Sequence, residues 1–262
     1  MKQSNKGKDQ HRAGFVALVG PANAGKSTLL NAILGTKVSI VSAKQQSTRN
    51  RVRGIYSTAN AQVVFVDTPG FLARRYRGEL SQFINRVINQ SLAESDRTLL
   101  VLDSKMLMAQ RGAIQQIGAS LKARELTSNF SVVLNKVDQV DSAQLLPLIA
   151  ELQKEMGGEA SSQIEFFPIS ALKGQGVDVL LESIIKDMPV SPPLFDSNDI
   201  SDQPEEFFIS EIIREKLFGR LHKELPYSIA VIVESLQERS RWLDVEFQQK
   251  KYWLAACAKY RK

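Results

Sequence analysis

The stretch Gly20-Pro21-Ala22-Asn23-Ala24-Gly25-Lys26-Ser27-Thr28 constrains this chain more than any other. It fits G-x-x-x-x-G-K-[ST], a loop whose backbone N–H groups converge on a phosphate. Its flanks agree. Phe15 to Val19 is a continuous apolar run, the pattern of a strand buried on both faces. Ser27 to Leu34 reads as a helix, with Leu29, Leu30, Ile33 and Leu34 on one side and Gly35 as its stop. Strand, glycine turn and helix N-terminus aim successive N–H groups and the positive end of the helix dipole at one place. Gly20, Asn23, Ala24, Gly25 and Thr28 are therefore expected to line a polyphosphate. Lys26 pairs with its outer phosphates and the Ser27 hydroxyl ligates Mg2+.

The rest of the chain alternates strands and helices, the pattern of a parallel sheet covered on both faces. Strands are expected at Arg51–Tyr56, Gln62–Val66, Thr98–Leu102, Phe130–Leu134 and Ile164–Ile169, with Thr58-Ala59-Asn60 turning between the first two. Apolar residues at helical spacing from Leu80 to Leu92 predict a helix, and further helices are expected over 113–123, 142–156 (closed by Gly157-Gly158) and 177–188. This makes an α/β fold, a six-stranded doubly wound sheet, whose ligands bind at the carboxyl ends of the strands. A chain of 262 residues leaves room for a second, smaller domain. The lone Cys257 rules out an internal disulfide, the polar and basic first twelve residues carry no secretory signal, and no apolar run approaches the ~20 residues that span a bilayer. A soluble cytoplasmic protein is expected, and the net charge of +6 suits an anionic partner.

The remaining chemistry follows strands, as that rule requires. After Val63 to Val66 comes Asp67-Thr68-Pro69-Gly70. Asp67 can hold the Mg2+ shell and Gly70 can offer its N–H to a terminal phosphate. After a later strand comes Asn135-Lys136-Val137-Asp138. A carboxylate such as Asp138 only accepts hydrogen bonds, and guanine presents two adjacent donors where adenine has an acceptor and no amino group. After the last strand comes Ser170-Ala171-Leu172, whose backbone N–H at Ala171 can meet the guanine carbonyl. Four such motifs in this order, each at a strand end, make a guanine-nucleotide site for GTP and GDP.

These motifs resemble the GTPase superfamily and, within it, the Era branch of the bacterial TrmE–Era–Der group. The carriers are residues 20 to 31, Gln46-Ser47-Thr48-Arg49-Asn50-Arg51, Asp67 to Phe71, and Ser210-Glu211-Ile212-Ile213-Arg214-Glu215-Lys216. The resemblance implies a G domain followed by an RNA-binding KH domain, and a GTP-driven switch that assists assembly of the small ribosomal subunit through 16S rRNA. It also implies association with the inner face of the cell membrane, a monomeric working unit, and K+ held near Asn23 against the phosphates.

Switch I is expected over Lys44–Arg53, which holds four basic residues and no acidic one. Thr48 is the candidate for the hydroxyl that meets Mg2+ with GTP bound, and as such a catalytic residue beside Lys26 and Gly70. Ser47 stands where the family has a second threonine, so the two neighbours compete for that role. Phe71 occupies the position where many GTPases place a water-orienting glutamine, so slow turnover is expected.

The domain reading is a polar tail over 1–13, the G domain over 14–188, a proline-bearing linker over 189–204 and a KH-like segment over 205–262. In the last, Phe208, Ile212, Ile213, Leu217 and Leu221 share a helix face, and strands are expected at Ile229–Val233 and around Leu243 to Phe247. The chain departs from the family pattern after Gln249-Lys250-Lys251, and Gly219 is its last glycine, so no G-x-x-G clamp for an RNA backbone follows. A truncation or frame shift near Tyr252, marginal folding of 205–262 and weak, salt-sensitive RNA contact are the expectations. Two functions stay open: a ribosome-engaging GTP hydrolase, and a GTPase that has lost specific RNA binding.

Overall fold

The computed structural model describes residues 10–39, 52–70, 79–110, 112–122, 130–156 and 164–220, and the short pieces 231–233, 238–239, 242–243, 247–249 and 252–254. The chain divides into two compact units. One comprises residues 1–39 and 48–202, the other 40–47 and 203–262.

The first unit is built on β1 (Arg12–Val19), α1 (Lys26–Leu34), β2 (Val52–Ser57), β3 (Ala61–Asp67), α2 (Glu79–Ala93), β4 (Arg97–Asp103), α3 (Ser104–Ala109), α4 (Ala113–Lys122), β5 (Phe130–Asn135), α5 (Leu145–Met156), β6 (Phe166–Pro168) and α6 (Val177–Asp187). The six strands form one sheet in the order β2-β3-β1-β4-β5-β6. Successive side chains of a strand point to opposite faces, so each central strand feeds two cores. Val16, Leu18, Leu99, Val101 and Val133 pack with Leu29, Leu30 and Ile33 of α1 and Leu180 and Ile184 of α6. Ala17, Val19, Leu100, Leu102, Val132 and Leu134 face the other way, onto Ile88 of α2, Ile114 and Ile117 of α4, and Leu148 and Leu152 of α5. Burying a large apolar side chain contributes ~1.5–3 kcal/mol, so these two layers hold the sheet.

The sheet is mixed where a parallel one is expected: β2 runs antiparallel to β3, from Val52 opposite Asp67 to Ser57 opposite Gln62. The reason is the length of the connection. Thr58 to Asn60 is too short for a crossover, and the turn is closed by Thr58 N–H to Ala61 O at 2.7 Å and Ala61 N–H to Thr58 Oγ1 at 3.0 Å. The order reverses at β1, with β3 on one side and β4 on the other, which puts the loop after β1 at the switch point of the sheet. Three local expectations shift. Helix α5 begins at Leu145 because Ser142–Gln144 is a 3₁₀ turn capped by Asp141, and β6 spans only Phe166–Pro168, with Ile169 N–H still donating to Leu134 O beyond it. Helix α3 is unforeseen, and is capped by Asp103, which accepts from Met106 N–H. The expected stop at Gly157-Gly158 lies outside the described residues.

Residues 189–202 are stitched to the sheet. Ala13 N–H donates to Pro189 O and Ser191 N–H to His11 O, both at 3.0 Å. The buried Gln62 amide accepts from Leu194 N–H and Phe195 N–H and donates to Phe195 O and Ser57 Oγ, which leaves it fully satisfied. Gly54 and Ser201 form an antiparallel bridge, Ile55 N–H meets Ile200 O, and Arg53 pairs with Asp202 at 3.0 Å. The free edge of β2 is thereby covered. At the far end of β4, buried Arg97 binds Glu165, Asp187 and the hydroxyls of Ser131 and Ser183.

In the second unit, α7 (Glu205–Arg220) opens with two acids in its first turn and closes on Arg220, a charge order that suits the helix dipole. Residues 231–233 are not in a strand, contrary to expectation, and have no ladder partner among the described residues. Two short antiparallel ladders follow, β7 (Glu238–Arg239) with β8 (Trp242–Leu243), and β9 (Phe247–Gln249) with β10 (Tyr252–Leu254).

Candidate nucleotide site

The loop between β1 and α1 is held by its glycines. Gly25 has φ 96°, and a Cβ there would lie 2.1 Å from Asn135 Nδ2, so no larger residue fits. Gly70 approaches the same loop from β3: a Cβ on it would stand 2.6 Å from the N and Cα of Ala22. Thr68, buried, donates its hydroxyl to Leu18 O at 2.7 Å and so ties the end of β3 to β1.

Lys26 is 6% exposed and its ammonium donates to Gly20 O and Pro21 O, each at 3.0 Å. Burial pushes it from its usual 10.5 to about 8, partly offset by the Asp67 carboxylate. Beside it, Asp67 Oδ2 accepts two hydroxyls, Ser27 Oγ at 2.6 Å and Ser39 Oγ at 2.8 Å. Hydroxyl and carboxylate are hard oxygen donors of the kind Mg2+ takes one or two at a time, so this pair fits that ion. Ser39 is itself fixed by Asn31 of α1: Asn31 Oδ1 accepts from Val38 N–H and Ser39 N–H at 2.9 Å, and its Nδ2 donates to Ser39 O.

Asn135 joins the other loops to this one. It is buried at the end of β5, donates Nδ2 to Ala24 O at 2.9 Å, and accepts at Oδ1 from Lys136 N–H at 2.8 Å and Ala171 N–H at 3.0 Å. Lys136, at φ 65°, sends its ammonium to Asn23 O at 2.8 Å and to Asp103 Oδ2 at 2.6 Å. Val137 N–H meets Ile169 O, which stitches the turn to the start of the Ser170-Ala171-Leu172 loop. The side chain of Asp138 is 9% exposed, with Lys173 Nζ 3.8 Å away.

The structure thus brings Gly20, Asn23, Ala24, Gly25, Lys26, Ser27, Asp67, Gly70, Asn135, Lys136, Ser170 and Ala171 into one cluster at the carboxyl edge of the sheet. Thr28 is the third residue of α1, and Leu172 points its side chain to solvent, 76% exposed. Thr48, Ser47 and Phe71 lie outside the described residues. Sequence reasoning missed Asn31, Ser39, Thr68 and Asp103. Asn31 and Thr68 lie inside the motifs quoted above, and Asp103 carried a local signal as an acidic residue just before the Ser104-Lys105-Met106 turn of α3.

A family profile described as 50S ribosome-binding GTPase matches residues 15–136. Over 232 residues the chain is 42% identical to GTPase Era of Nitratidesulfovibrio vulgaris strain DP4, covering 87% of this chain and 73% of that protein. It is 39% identical to GTPase Era of Lactobacillus delbrueckii subsp. bulgaricus, over 88% of this chain and 72% of that one. Among solved structures it is similar to Aquifex aeolicus Era bound to GDP and AlF4−, with a TM-score of 0.76, 37% identity, and 87% of this chain and 74% of that one covered. A structure of Era in complex with MgGDPNP and nucleotides 1506–1542 of 16S ribosomal RNA matches with the same TM-score and identity, over 88% and 74% of the two chains.

Proposed function

The chain belongs to the Era family of GTPases, and from that membership we propose a GTP-driven switch that assists small-subunit assembly by engaging 16S rRNA. It hydrolyses GTP to GDP and phosphate. One observation carries the residue-level reading: the Asn135 amide bonds Ala24 O, Lys136 N–H and Ala171 N–H at once, so the phosphate loop and both expected base loops form a single site.

In this reading the backbone from Gly20 to Thr28 cradles the phosphates and Lys26 neutralises their outer oxygens. To do so its ammonium exchanges the Gly20 and Pro21 carbonyls for phosphate oxygens, which are stronger acceptors for a charged donor. Ser27 and Asp67 hold Mg2+, with Thr48 or Ser47 joining from switch I. The ion supplies charge neutralisation at the phosphates when bound. Gly70 offers its N–H to the terminal phosphate. Asp138 accepts from guanine N1–H and the 2-amino group, while Ser170, Ala171 and Leu172 cover the base carbonyl. Phe71 cannot orient water, so positioning and charge carry the rate, and turnover is slow. K+ beside Asn23 is a further part of the proposal: turnover faster in K+ than in Na+, with the difference lost in Asn23→Ala, supports it, and equal rates refute it.

Residues 14–188 are read as the G domain, 189–204 as its linker and 205–262 as the KH-like segment. Among the described residues no helix is long and apolar enough to cross a membrane. A cytoplasmic protein with peripheral membrane contact is the proposal, tested by vesicle flotation. The ribosomal reading is supported by the relative solved with 16S rRNA. Its test is binding of the full chain, with GDPNP, to an RNA of the 16S 3′ end and to a scrambled RNA at physiological salt. Preference for the 3′ end is expected. Equal, salt-labile binding to both would overturn the ribosomal role and leave a GTPase without specific RNA recognition.

A further inference from the structure

Asp103 belongs to none of the nucleotide motifs, yet it stands inside their cluster. It is the last residue of β4, and its register partner on β5 is Asn135. Its two carboxylate oxygens do different work. Oδ1 caps α3 by accepting from Met106 N–H at 3.0 Å, and Oδ2 accepts the Lys136 ammonium at 2.6 Å. The same ammonium reaches Asn23 O at 2.8 Å. Lys136 is fixed at its other end too, in a left-handed turn held by the bond from its N–H to Asn135 Oδ1. The side chains of Lys136 and Asp103 are 28% and 16% exposed, so the pair is less screened than one at the open surface.

We propose that Asp103 is a positioning residue of the nucleotide site: it aims Lys136 at Asn23 O and so fixes the phosphate loop to the base loop. The inference rests on reading Asn135–Asp138 as the base loop. The chemistry requires a carboxylate at this place. An ammonium has three donors and no acceptor, and its bond to a carboxylate is both shorter and stronger than one to a neutral oxygen. With Asp103 in place the Lys136 stem keeps one course across the cluster. Asn23, itself at φ 64°, is then held in the turn that orients the N–H groups of Ala24 and Gly25. A loop ordered before the nucleotide arrives spends less binding free energy on ordering. Removing the charge of Asp103 should therefore act on nucleotide release and KM more than on kcat.

Asp103→Asn separates the two tasks, because asparagine caps a helix as well as aspartate does but offers Lys136 no charge. The measurement is release of a fluorescent GDP analogue from the full chain by stopped flow, alongside steady-state GTP turnover and the thermal midpoint. The expected result is release faster by about threefold to tenfold, the range for a sheltered ion pair. KM for GTP should rise more than kcat changes, and the thermal midpoint should fall by no more than about 2–4 °C, the size expected for one ion pair. Lys136→Met should accelerate release to a similar degree, and adding Asp103→Asn to it should do nothing more. Should Asp103→Asn fail to fold, Asp103→Ser keeps a capping oxygen and gives the same readout. Wild-type release in the Asp103 variants while Lys136→Met accelerates it would overturn the proposal and leave the base loop standing. Additive effects in the double variant would overturn it as well. If Lys136→Met also releases GDP at the wild-type rate, the reading of the loop falls and the proposal with it.

Discussion

Asn135→Ala is the most informative single change to this fold, because one buried side chain serves three backbone groups on three loops. The amide is 1% exposed, so water cannot replace it without entering a packed site. Its loss strands Ala24 O, Lys136 N–H and Ala171 N–H, now bonded at 2.9, 2.8 and 3.0 Å. Each such bond contributes ~1 kcal/mol net, and a stranded buried group costs more, so a loss of about 3 kcal/mol is expected before any nucleotide is added. With a urea slope of about 2–3 kcal/mol/M for a domain of this size, the midpoint should fall by about 1–1.5 M. Urea titration followed by the far-ultraviolet signal, to which the sheet and helices of the first unit contribute most, measures this, and GDP titration of the same variant should show weakened affinity. Asn135→Asp tests the direction of the bonds. It keeps the shape and both acceptor roles, but turns a carboxylate oxygen on Ala24 O where an N–H stood, so it should not restore the midpoint. An unshifted urea midpoint in Asn135→Ala would refute the claim that this amide ties the loops together.

If Asp138 reads the two donors of guanine, Asp138→Asn should weaken GTP by ~1–3 kcal/mol and improve xanthine nucleotides, as competition binding would reveal; unchanged GTP affinity removes the assignment. For Lys26, held at about 8, phosphates favour the charged form, so GDP affinity should fall by about fivefold between pH 8 and pH 9, with proton uptake seen by calorimetry. The stability of the protein without nucleotide runs the other way: between about pH 8 and 10.5 the unfolded chain keeps a proton that the folded one has lost, so this group's contribution rises with pH; a flat affinity from pH 7 to 9 contradicts the first statement, and a Lys26→Met variant with the same pH dependence of the urea midpoint contradicts the second. Ser39→Ala removes one of the two hydroxyls on Asp67 Oδ2 and should raise the Mg2+ concentration that half-slows GDP release by about threefold to fivefold, whereas an unchanged Mg2+ dependence would leave Ser39 a packing residue. A chain cut after Met188 bares Gln62 and the β2 edge, so it should scatter light and unfold at lower urea than one cut after Asp202; equal behaviour would deny residues 189–202 a structural role.

That the loops tied by Asn135 gather at the sheet's carboxyl edge was legible in the sequence because each is local. A run such as Val63 to Val66 announces a buried strand, and the residue after it stands at the sheet's carboxyl edge wherever the strand falls in the order. The alternation that sends Leu99 and Val101 to one core and Leu100 and Leu102 to the other follows from period two alone. The direction of β2 was legible as well, since three residues between strands permit only a hairpin. The expectation of a parallel sheet failed by weighing the α/β alternation above that spacing.

The contacts that escaped the sequence depend on strand order and register, which no local pattern encodes. Asp103 meets Lys136 only because β4 lies beside β5 with Asp103 opposite Asn135. A one-residue slip in that register would turn the carboxylate to the opposite face. Gln62 reads as a polar interruption at the head of an apolar strand, and becomes intelligible once Leu194 and Phe195 are known to cross it. Its burial would cost several kcal/mol without partners, so its presence in the sequence already demanded a segment like this one. The prolines of 189–204 suggested a spacer, yet proline donates no N–H, and it is the carbonyl of Pro189 that pairs with Ala13. A stretch rich in prolines can therefore lie along a sheet as an ordered strap, wherever its remaining N–H groups find acceptors such as Gln62 Oε1.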